Sequence, residues 1–497
     1  MTGLIDRAAI HGTRTAFRTT SSSFTYAQLL QRSAATASVL LAGATDLAEE
    51  RIAFQMPGGM PYAEVLWGIW RAGAIAVPLN ATATAPEFEH VLRNTGVRRV
   101  IEGGMPQPAL VEAAAATGAE CLEYARLEFA GIGVPPRIEA QRRALIIFTS
   151  GTTSKPKGVV WTHGMLDAQI TALVEAWEWQ EGDSIPLFLP LHHVHGLLNV
   201  MCCALWSGAC VEAYEHFDAN TILARVLARA FSVFMAVPTV YVKLIQALEK
   251  LPLSERIQYR DAFGKLRLMV SGSAALPSSV HQQWRKLTGQ VLLERYGMTE
   301  IGMALSNPLR GERRPGAVGT PLPAMEVRLV NEQGDRIDGE GEAGEVQVRG
   351  PGVFREYWNN PEATAAAFVD GWFRTGDMAL REKGYYRILG RQSVDIIKSG
   401  GYKISALEIE QVLLSHPAIA ECAVVGVPDA TWGEMVAVAV VPREGKALDL
   451  AGLRQWCGDK LSDYKQPRRL QLLAALPRNA MGKVVKPELQ QQLACLP

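Results

Sequence analysis

The sequence predicts a layered α/β protein with a smaller α+β unit at its C-terminal end. Three observations carry this. Helical apolar patterns alternate with short β-rich runs from about residue 25, short strands and turns take over after about residue 320, and a tail of helix, two strands and helix follows. At 497 residues the chain exceeds what one hydrophobic core usually holds, so two to four packed units of roughly 100–200 residues are expected. Apolar residues make up 48% and charged residues 20%, which are globular proportions and set aside disordered and fibrous classes. Lys plus Arg is 50 and Asp plus Glu is 50. That balance argues against a general grip on nucleic-acid backbones, which needs a basic surplus.

Taken in order, LLQRSAATASVLLA reads as a helix, RIAFQM as a buried strand, EVLWGIWRAG as a helix and AIAVPL as a strand. RALIIF is a strand that empties into a glycine-rich loop at Thr149, and LRLMVSG (266–272) and QVLLERYG (290–297) repeat that strand-then-turn pattern. Such turns lie at the carboxyl ends of strands, where open α/β sheets bind ligands. EVRLVNEQGDRI, GEVQVRGP, DGWFRTGD and GYYRILGR are short β segments. In the tail, ALEIEQVLLSH and LAGLRQWCGDKL read as helices, with AECAVVGV and MVAVAVV as strands between them. We divide the chain at SVDIIKSGGYKIS: residues 1–392 bind nucleotide and acid, residues 393–497 form a lid, and the hinge falls at about 391–395.

Seven cysteines (Cys121, Cys202, Cys203, Cys210, Cys422, Cys457, Cys495) form no CxxC pair, which favours a reducing compartment over a disulfide frame. The start lacks the apolar core of a signal peptide, and its Arg7, Arg14 and Arg18 against one acid, Asp6, leave a weak transit-peptide reading open. Apolar stretches such as GAIAVPL fall short of the ~18 residues that span a bilayer. The expectation is a cytoplasmic protein.

The strongest chemical signal is FTSGTTSKPKG, Phe148 to Gly158. Hydroxyls and N–H groups donate to an anion, glycines let backbone approach it, and lysines balance its charge. Its order does not match GxxxxGK[ST], which disfavours a P-loop kinase. LPLHHVHGLLN holds His192, His193 and His195. Imidazole is a common zinc ligand, but no Cys or acid with ligand spacing adjoins these three.

FTSGTTSKPKG resembles the phosphate loop of the adenylate-forming superfamily: acyl-CoA synthetases, luciferases and peptide-synthetase adenylation domains. SGSAALP (271–277), ERYGMTE (294–300), GEVQVRGP (344–351), WFRTGD (372–377), GRQSVDIIKSGGYKIS (390–405) and PRNAMGKVVK (477–486) resemble further blocks of that family, in order, over roughly residues 20–490. The resemblance implies a large N-terminal adenylate-forming domain, a small mobile C-terminal domain, and a two-step reaction using ATP, Mg²⁺ and coenzyme A. It implies that Thr149, Ser150, Gly151, Thr152, Thr153 and Lys157 hold the phosphates, and that Glu300, with Thr152, holds Mg²⁺. Thr299 would contact the α-phosphate, while Ser271, Gly272, Ser273, Glu294, Tyr296 and Gly297 would surround the nucleotide. Asp377 and Arg391 would bind the ribose, and Lys483 would bridge the α-phosphate and the carboxylate, with Lys398 beside it among the catalytic residues. CoA would enter by Ser399, Gly400, Gly401 and Tyr402. The sequence departs from the family at Ser154, where glycine is common, and in a hinge one residue longer than usual, which leaves Ser393 and Asp395 both open as pivot.

Pocket polarity selects the acid. A fatty-acid tunnel must be apolar, because an uncompensated buried charge is costly. Here Arg295 sits beside the expected acyl site, with Lys243, His193, Asn199 and Met298 as further lining residues; His193 resembles the family's acyl-pocket histidine. A cationic, hydrogen-bonding pocket suits a second carboxylate on the substrate. The stretch from SGSAALP to PGAVGTPLP, with VFREYWN and SVDIIKSGGYK, is similar to the malonyl-CoA synthetase branch of the superfamily, for which methylmalonate is the natural second substrate. Alternatives are a medium- or long-chain fatty acyl-CoA ligase, an adenylating enzyme that loads a carrier protein, and a catalytically dead nucleotide-binding scaffold. Monomer and homodimer both stay open, with no membrane insertion and no nucleic-acid partner.

Overall fold

The computed structural model describes residues 3–104, 107–127, 135–149, 156–399, 402–478 and 484–495. It is a mixed α/β protein, with a large N-terminal part built on four sheets and a small C-terminal part built on a fifth. The largest sheet has seven strands in the spatial order Glu356–Tyr357, Lys157–Thr162, Arg143–Thr149, Ile75–Pro78, Arg51–Gln55, Arg99–Glu102, Glu120–Glu123. The last five of these run parallel, and the first two are antiparallel additions at one edge. Parallel strands are buried on both faces, and Ile75–Pro78 is buried throughout.

Local chemistry sets the helices that cover the sheets. Tyr26–Leu41 opens with a reciprocal cap: Thr25 Oγ1 accepts from Gln28 N at 3.2 Å, and Gln28 Oε1 accepts from Thr25 N at 2.7 Å. Met60–Arg71 is apolar almost all round, Trp67 and Trp70 included, which suits a helix packed inside the fold rather than on its surface. The N-terminal helix Gly3–Ile10 buries Leu4, Ile5 and Ala8, and Arg7 lies 5.0 Å from the Trp206 ring. That stretch is therefore a built-in element of the core. Among the described residues no helix is long and apolar enough to cross a membrane.

Two features were not anticipated. A four-stranded sheet joins Ser23–Thr25 and Thr15–Arg18 to Cys210–Ala213 and Ser184–Leu187. His195–Cys202 forms a π-helix, and its Cys202 and the following Cys203 are fully buried in the main core.

A five-stranded sheet runs Val233–Ala236, Leu268–Ser271, Leu293–Met298, Gly302–Ser306, Thr320–Pro321. Its register sets Ser271 opposite Glu294, so the turn after Ser271 lies beside Arg295. In the next sheet Trp372–Glu382 pairs with Tyr385–Arg391, with Asp377 opposite Arg391. Four residues, 392–395, then lead into Ile396–Ser399, which belongs to the C-terminal sheet with Tyr402–Ser405, Gly433–Pro442, Ile419–Asp429 and Arg469–Leu472. Helices Ala406–Leu414 and Leu450–Cys457 cover one face of that sheet and Lys486–Ala494 the other, each with its own apolar cluster.

Candidate active site

The site residues lie on three strands, Leu293–Met298, Trp372–Glu382 and Tyr385–Arg391, and on the turn after Leu268–Ser271. Alternation along Leu293–Met298 sends neighbouring side chains to opposite faces. Arg295 is 5% exposed, and among the described residues no carboxylate pairs with it. Its Nη2 donates to Ser273 Oγ at 3.4 Å, and its Nε has no partner. Burial alone lowers its pKa to about 9. Gly272 lies directly beneath the guanidinium, and a Cβ there would sit 2.4 Å from Cζ, so only glycine leaves room for this arginine. Ser273 is at φ +68°, a left-handed conformation of the kind that collects at functional sites.

Ser273 Oγ is also 3.0 Å from His195 Nδ1. His195 is buried, its Nε2 is unpartnered, and burial, with Arg295 and His193 adding, holds its pKa well below the usual range. Asn199, four residues on along the same π-helix, is buried with its Nδ2 unpartnered, as is Ser271 Oγ. A buried polar atom without a protein partner needs an explanation, and a bound ligand or water is one. The site is cationic and rich in hydrogen-bonding groups. His195 was not among the residues chosen from the sequence; its one signal was membership of the three-histidine run.

A second group is centred on Asp377. Tyr296 donates to Asp377 Oδ2 at 2.6 Å, Arg391 Nε donates to Asp377 Oδ1 at 3.0 Å, and Arg391 Nη2 donates to Thr375 O at 2.8 Å. Tyr296, Asp377 and Arg391 thus form one hydrogen-bonded cluster. Gly297 packs against the next strand so closely that a Cβ would lie 1.9 Å from Gly302 O. Thr299 O accepts from Trp161 Nε1 at 3.0 Å, and Met298 closes the strand opposite Gly302.

Glu300 is 6% exposed and accepts from Tyr357 Oη at 3.0 Å, while the Lys157 ammonium lies 4.7 Å from the Tyr357 ring. Burial raises the Glu300 pKa, and Arg391 and Lys157 oppose that rise. Among the described residues no three His, Cys, Asp or Glu gather as a metal cluster. One buried carboxylate fits Mg²⁺, which takes one or two protein carboxylates and completes its shell with substrate phosphates and water.

Other candidates fall elsewhere. Glu294 Oε1 accepts from Gly316 N at 2.8 Å, and burial pushes its pKa up to about 8. A buried carboxylate needs a donor, and here the turn after Asn307 supplies it. Lys243 is exposed and lies 6.0 Å from the Phe217 ring. The His193 ring lies against that of His192, with centroids 4.1 Å apart and planes tilted by 55°. Lys398 is exposed on Ile396–Ser399, with its N–H donated to Glu434. Tyr402 is 54% exposed and stacks on Tyr464 at 4.3 Å. Thr149 ends its strand opposite Lys157. Ser150, Gly151, Thr152, Thr153, Gly400, Gly401 and Lys483 lie outside the described residues.

The two-part architecture, a large α/β part followed by a small C-terminal part, is that of adenylate-forming enzymes. The chain belongs to the AMP-binding enzyme family, which matches residues 4–358, and residues 408–483 match the AMP-binding enzyme C-terminal domain. Among its relatives are the mitochondrial malonate–CoA ligases of Bos taurus, 44% identical over 90% of this chain and 82% of the relative, and Homo sapiens, 41% identical over 97% and 90%. The crystal structure of ATP-bound MatB from Rhodopseudomonas palustris superimposes with a TM-score of 0.91 at 31% identity, covering 100% of this chain and 99% of that one. The O-succinylbenzoate CoA synthetase of Bacillus subtilis, in complex with ATP and magnesium ion, gives 0.86 at 26%, covering 98% and 99%.

Proposed function

We propose that the protein is an AMP-forming acid–thiol ligase that converts malonate, with methylmalonate as a second substrate, to malonyl-CoA. The observation that carries the choice of acid is Arg295, a buried guanidinium with no carboxylate partner among the described residues, with Ser273 between it and His195. A buried charge of this kind is costly unless paired. A substrate carboxylate supplies the partner, and a monocarboxylic fatty acid does not. The malonate–CoA ligase relatives support the same acid.

One carboxylate of the acid attacks the α-phosphorus of ATP and releases pyrophosphate. The CoA thiol then attacks the acyl carbonyl and releases AMP. Arg295 holds the distal carboxylate, so the proximal one points at the phosphate, and positioning of this kind lowers the entropic part of the barrier. Asp377 accepts the ribose hydroxyls and Arg391 keeps Asp377 oriented. Thr149, Lys157 and the loop between them cradle the phosphates, Thr299 contacts the α-phosphate, and Lys483 bridges it to the carboxylate. Glu300 holds Mg²⁺, which when bound neutralises charge on the phosphates and stabilises the transition state.

The domain division at residues 391–395, and rotation of the lid between half-reactions, belong to this reading. So does a cytoplasmic setting, based on seven free cysteines; organelle import is the alternative that the relatives' mitochondrial naming raises, and cell fractionation separates the two. The test of function is a CoA-dependent AMP-release screen over malonate, methylmalonate, acetate, butyrate and octanoate. Malonate should give the highest kcat/KM, and a preference for octanoate would overturn the assignment.

A further inference from the structure

The C-terminal part holds a buried charge cluster that the chemistry above does not use. Lys486 begins the helix Lys486–Ala494 and is 9% exposed. Its Nζ donates to Asp395 Oδ1 at 2.6 Å and lies 2.7 Å from Glu410 Oε1. Asp395 Oδ2 accepts from Arg391 N at 2.9 Å, and Asp395 N donates to Arg391 O at 2.7 Å. Glu410 Oε1 accepts from Val424 N at 2.8 Å. One cation therefore ties three pieces of chain: the short connection between the two sheets, the helix Ala406–Leu414 and the helix Lys486–Ala494. Burial raises the Glu410 pKa while Lys486 opposes it, and the two carboxylates raise the Lys486 pKa against burial.

The position of this cluster is its second feature. Arg478 and Val484 form a β-bridge, and Val485 N donates to Pro477 O at 2.9 Å, so the segment carrying Lys483 is closed at a foot next to Lys486. A cavity of about 30 Å³, large enough for a water, lies against the same cluster, lined by Ser393, Val394, Gly426, Glu434, Lys486 and Gln490. The packing is thus incomplete at the connection and tight at the ion triad.

We propose that Lys486 is a positioning residue for adenylation: its bridge from Asp395 to Glu410 fixes the foot of the Lys483 segment to the hinge. Lys483 precedes Lys486 by three positions in the sequence, so a tie between hinge and foot links the direction of the hinge to the start of the segment that carries Lys483. Hinges absorb large dihedral changes in a few residues. Without a rigid tie, rotation there would deliver Lys483 to a spread of positions. Misplacement by about 1 Å can cost on the order of 10²-fold in rate.

This inference rests on the ligase reading above, and its test keeps the two separable. Lys486→Met should lower the adenylation rate by at least about tenfold with the KM for ATP unchanged, and should leave thioester formation from pre-made acyl-adenylate near wild type. Lys486→Arg, which keeps the charge, should recover most of the loss. Asp395→Asn, the second variant should Lys486→Met fail to fold, should give the same split, and the two changes together should cost no more than either alone, as groups in one network do. Amide hydrogen exchange should quicken at Arg391 and Asp395 in Lys486→Met. Adenylation within threefold of wild type, equal loss in both half-reactions, or unchanged exchange at those amides would each overturn the proposal. A wild-type protein that adenylates no dicarboxylate sinks the ligase reading instead, and the exchange measurement still decides the tie.

Discussion

Arg295 is the residue on which the proposed choice of acid rests. Truncating one partner of a buried, hydrogen-bonded charge pair costs roughly 2–5 kcal/mol, and about 1.4 kcal/mol is tenfold. Arg295→Leu should therefore cut kcat/KM for malonate by at least ~30-fold while activity toward acetate or butyrate holds or rises. Parallel loss of ATP binding and of every acid would make Arg295 structural. His195 carries a pH signature. Its folded pKa lies well below the unfolded value near 6.5, with burial the largest cause, so below pH 6.5 the unfolded chain binds the extra proton. The stability that follows is fully present above pH 6.5 and is lost as pH falls from there towards the folded value, at up to roughly 1.4 kcal/mol per pH unit. His163 and His192, lowered to about 3 and about 4 by burial, act in the same direction. Glu294, raised to about 8, acts in the opposite direction. His195→Asn should flatten the slope between pH 6.5 and 5.5 in urea titrations, and an unchanged slope would mean His195 is protonated in the fold. Arg295 was legible because a permanent cation stood beside a recognisable motif. Its partners were not, since His195 and Ser273 are 78 positions apart and meet only through packing.

At the scale of elements, the strand Leu293–Met298 does most to build the site, because one strand carries Arg295, Tyr296 and Gly297. Gly297→Ala would place a Cβ 1.9 Å from Gly302 O, against backbone that has no rotamer to yield. Overpacking typically costs 1–3 kcal/mol. The variant should show a lowered urea midpoint together with weakened pyrophosphate release; an unchanged midpoint would mean that the turn relaxes freely. The strands of the two nucleotide-side sheets were readable from short β-rich runs ending in glycine turns. The π-helix His195–Cys202 was not, because i→i+5 bonding leaves no familiar periodicity and the stretch is buried all round. The sheet joining Thr15–Arg18 to Cys210–Ala213 escaped for a different reason. Its strands have three or four residues each, and Phe17 pairs with Val211, far away in the sequence. The Gly316 partner of Glu294 was not legible, because a motif preserves order along the chain, whereas the direction a side chain takes depends on which turn packs beside it.

At the scale of the whole molecule, the two parts have separate apolar clusters joined through four residues, Gln392 to Asp395, between the strands Tyr385–Arg391 and Ile396–Ser399. Both ends of that connection are held: Gln392 N donates to Gly376 O at 2.8 Å, and Val394 N and Asp395 N both donate to Arg391 O. Ser393 differs. It is exposed, and its N–H makes no hydrogen bond among the described residues. This distinguishes the two positions that the sequence left open as pivot. Proline at 395 would remove an N–H that is in use and the carboxylate that meets Lys486, so any loss there would mix folding with motion. Proline at 393 removes no bonded donor. It fixes φ near −65° and biases Gln392 towards extended conformations. Ser393→Pro should therefore keep the denaturation midpoint within about 0.5 kcal/mol of wild type, the usual range for surface changes. If residues 391–395 turn between half-reactions, the variant should keep its rate of adenylate formation and lose thioester formation by an order of magnitude or more, because the fixed dihedral holds the lid in one arrangement. Stopped-flow measurement of pyrophosphate release, set against CoA-dependent release of AMP from the pre-formed adenylate, reads the two steps independently. Equal rates in both for wild type and variant would place the pivot outside this connection. Loss of adenylation with thioester formation intact would instead mean that proline holds the lid in the arrangement used for the second step.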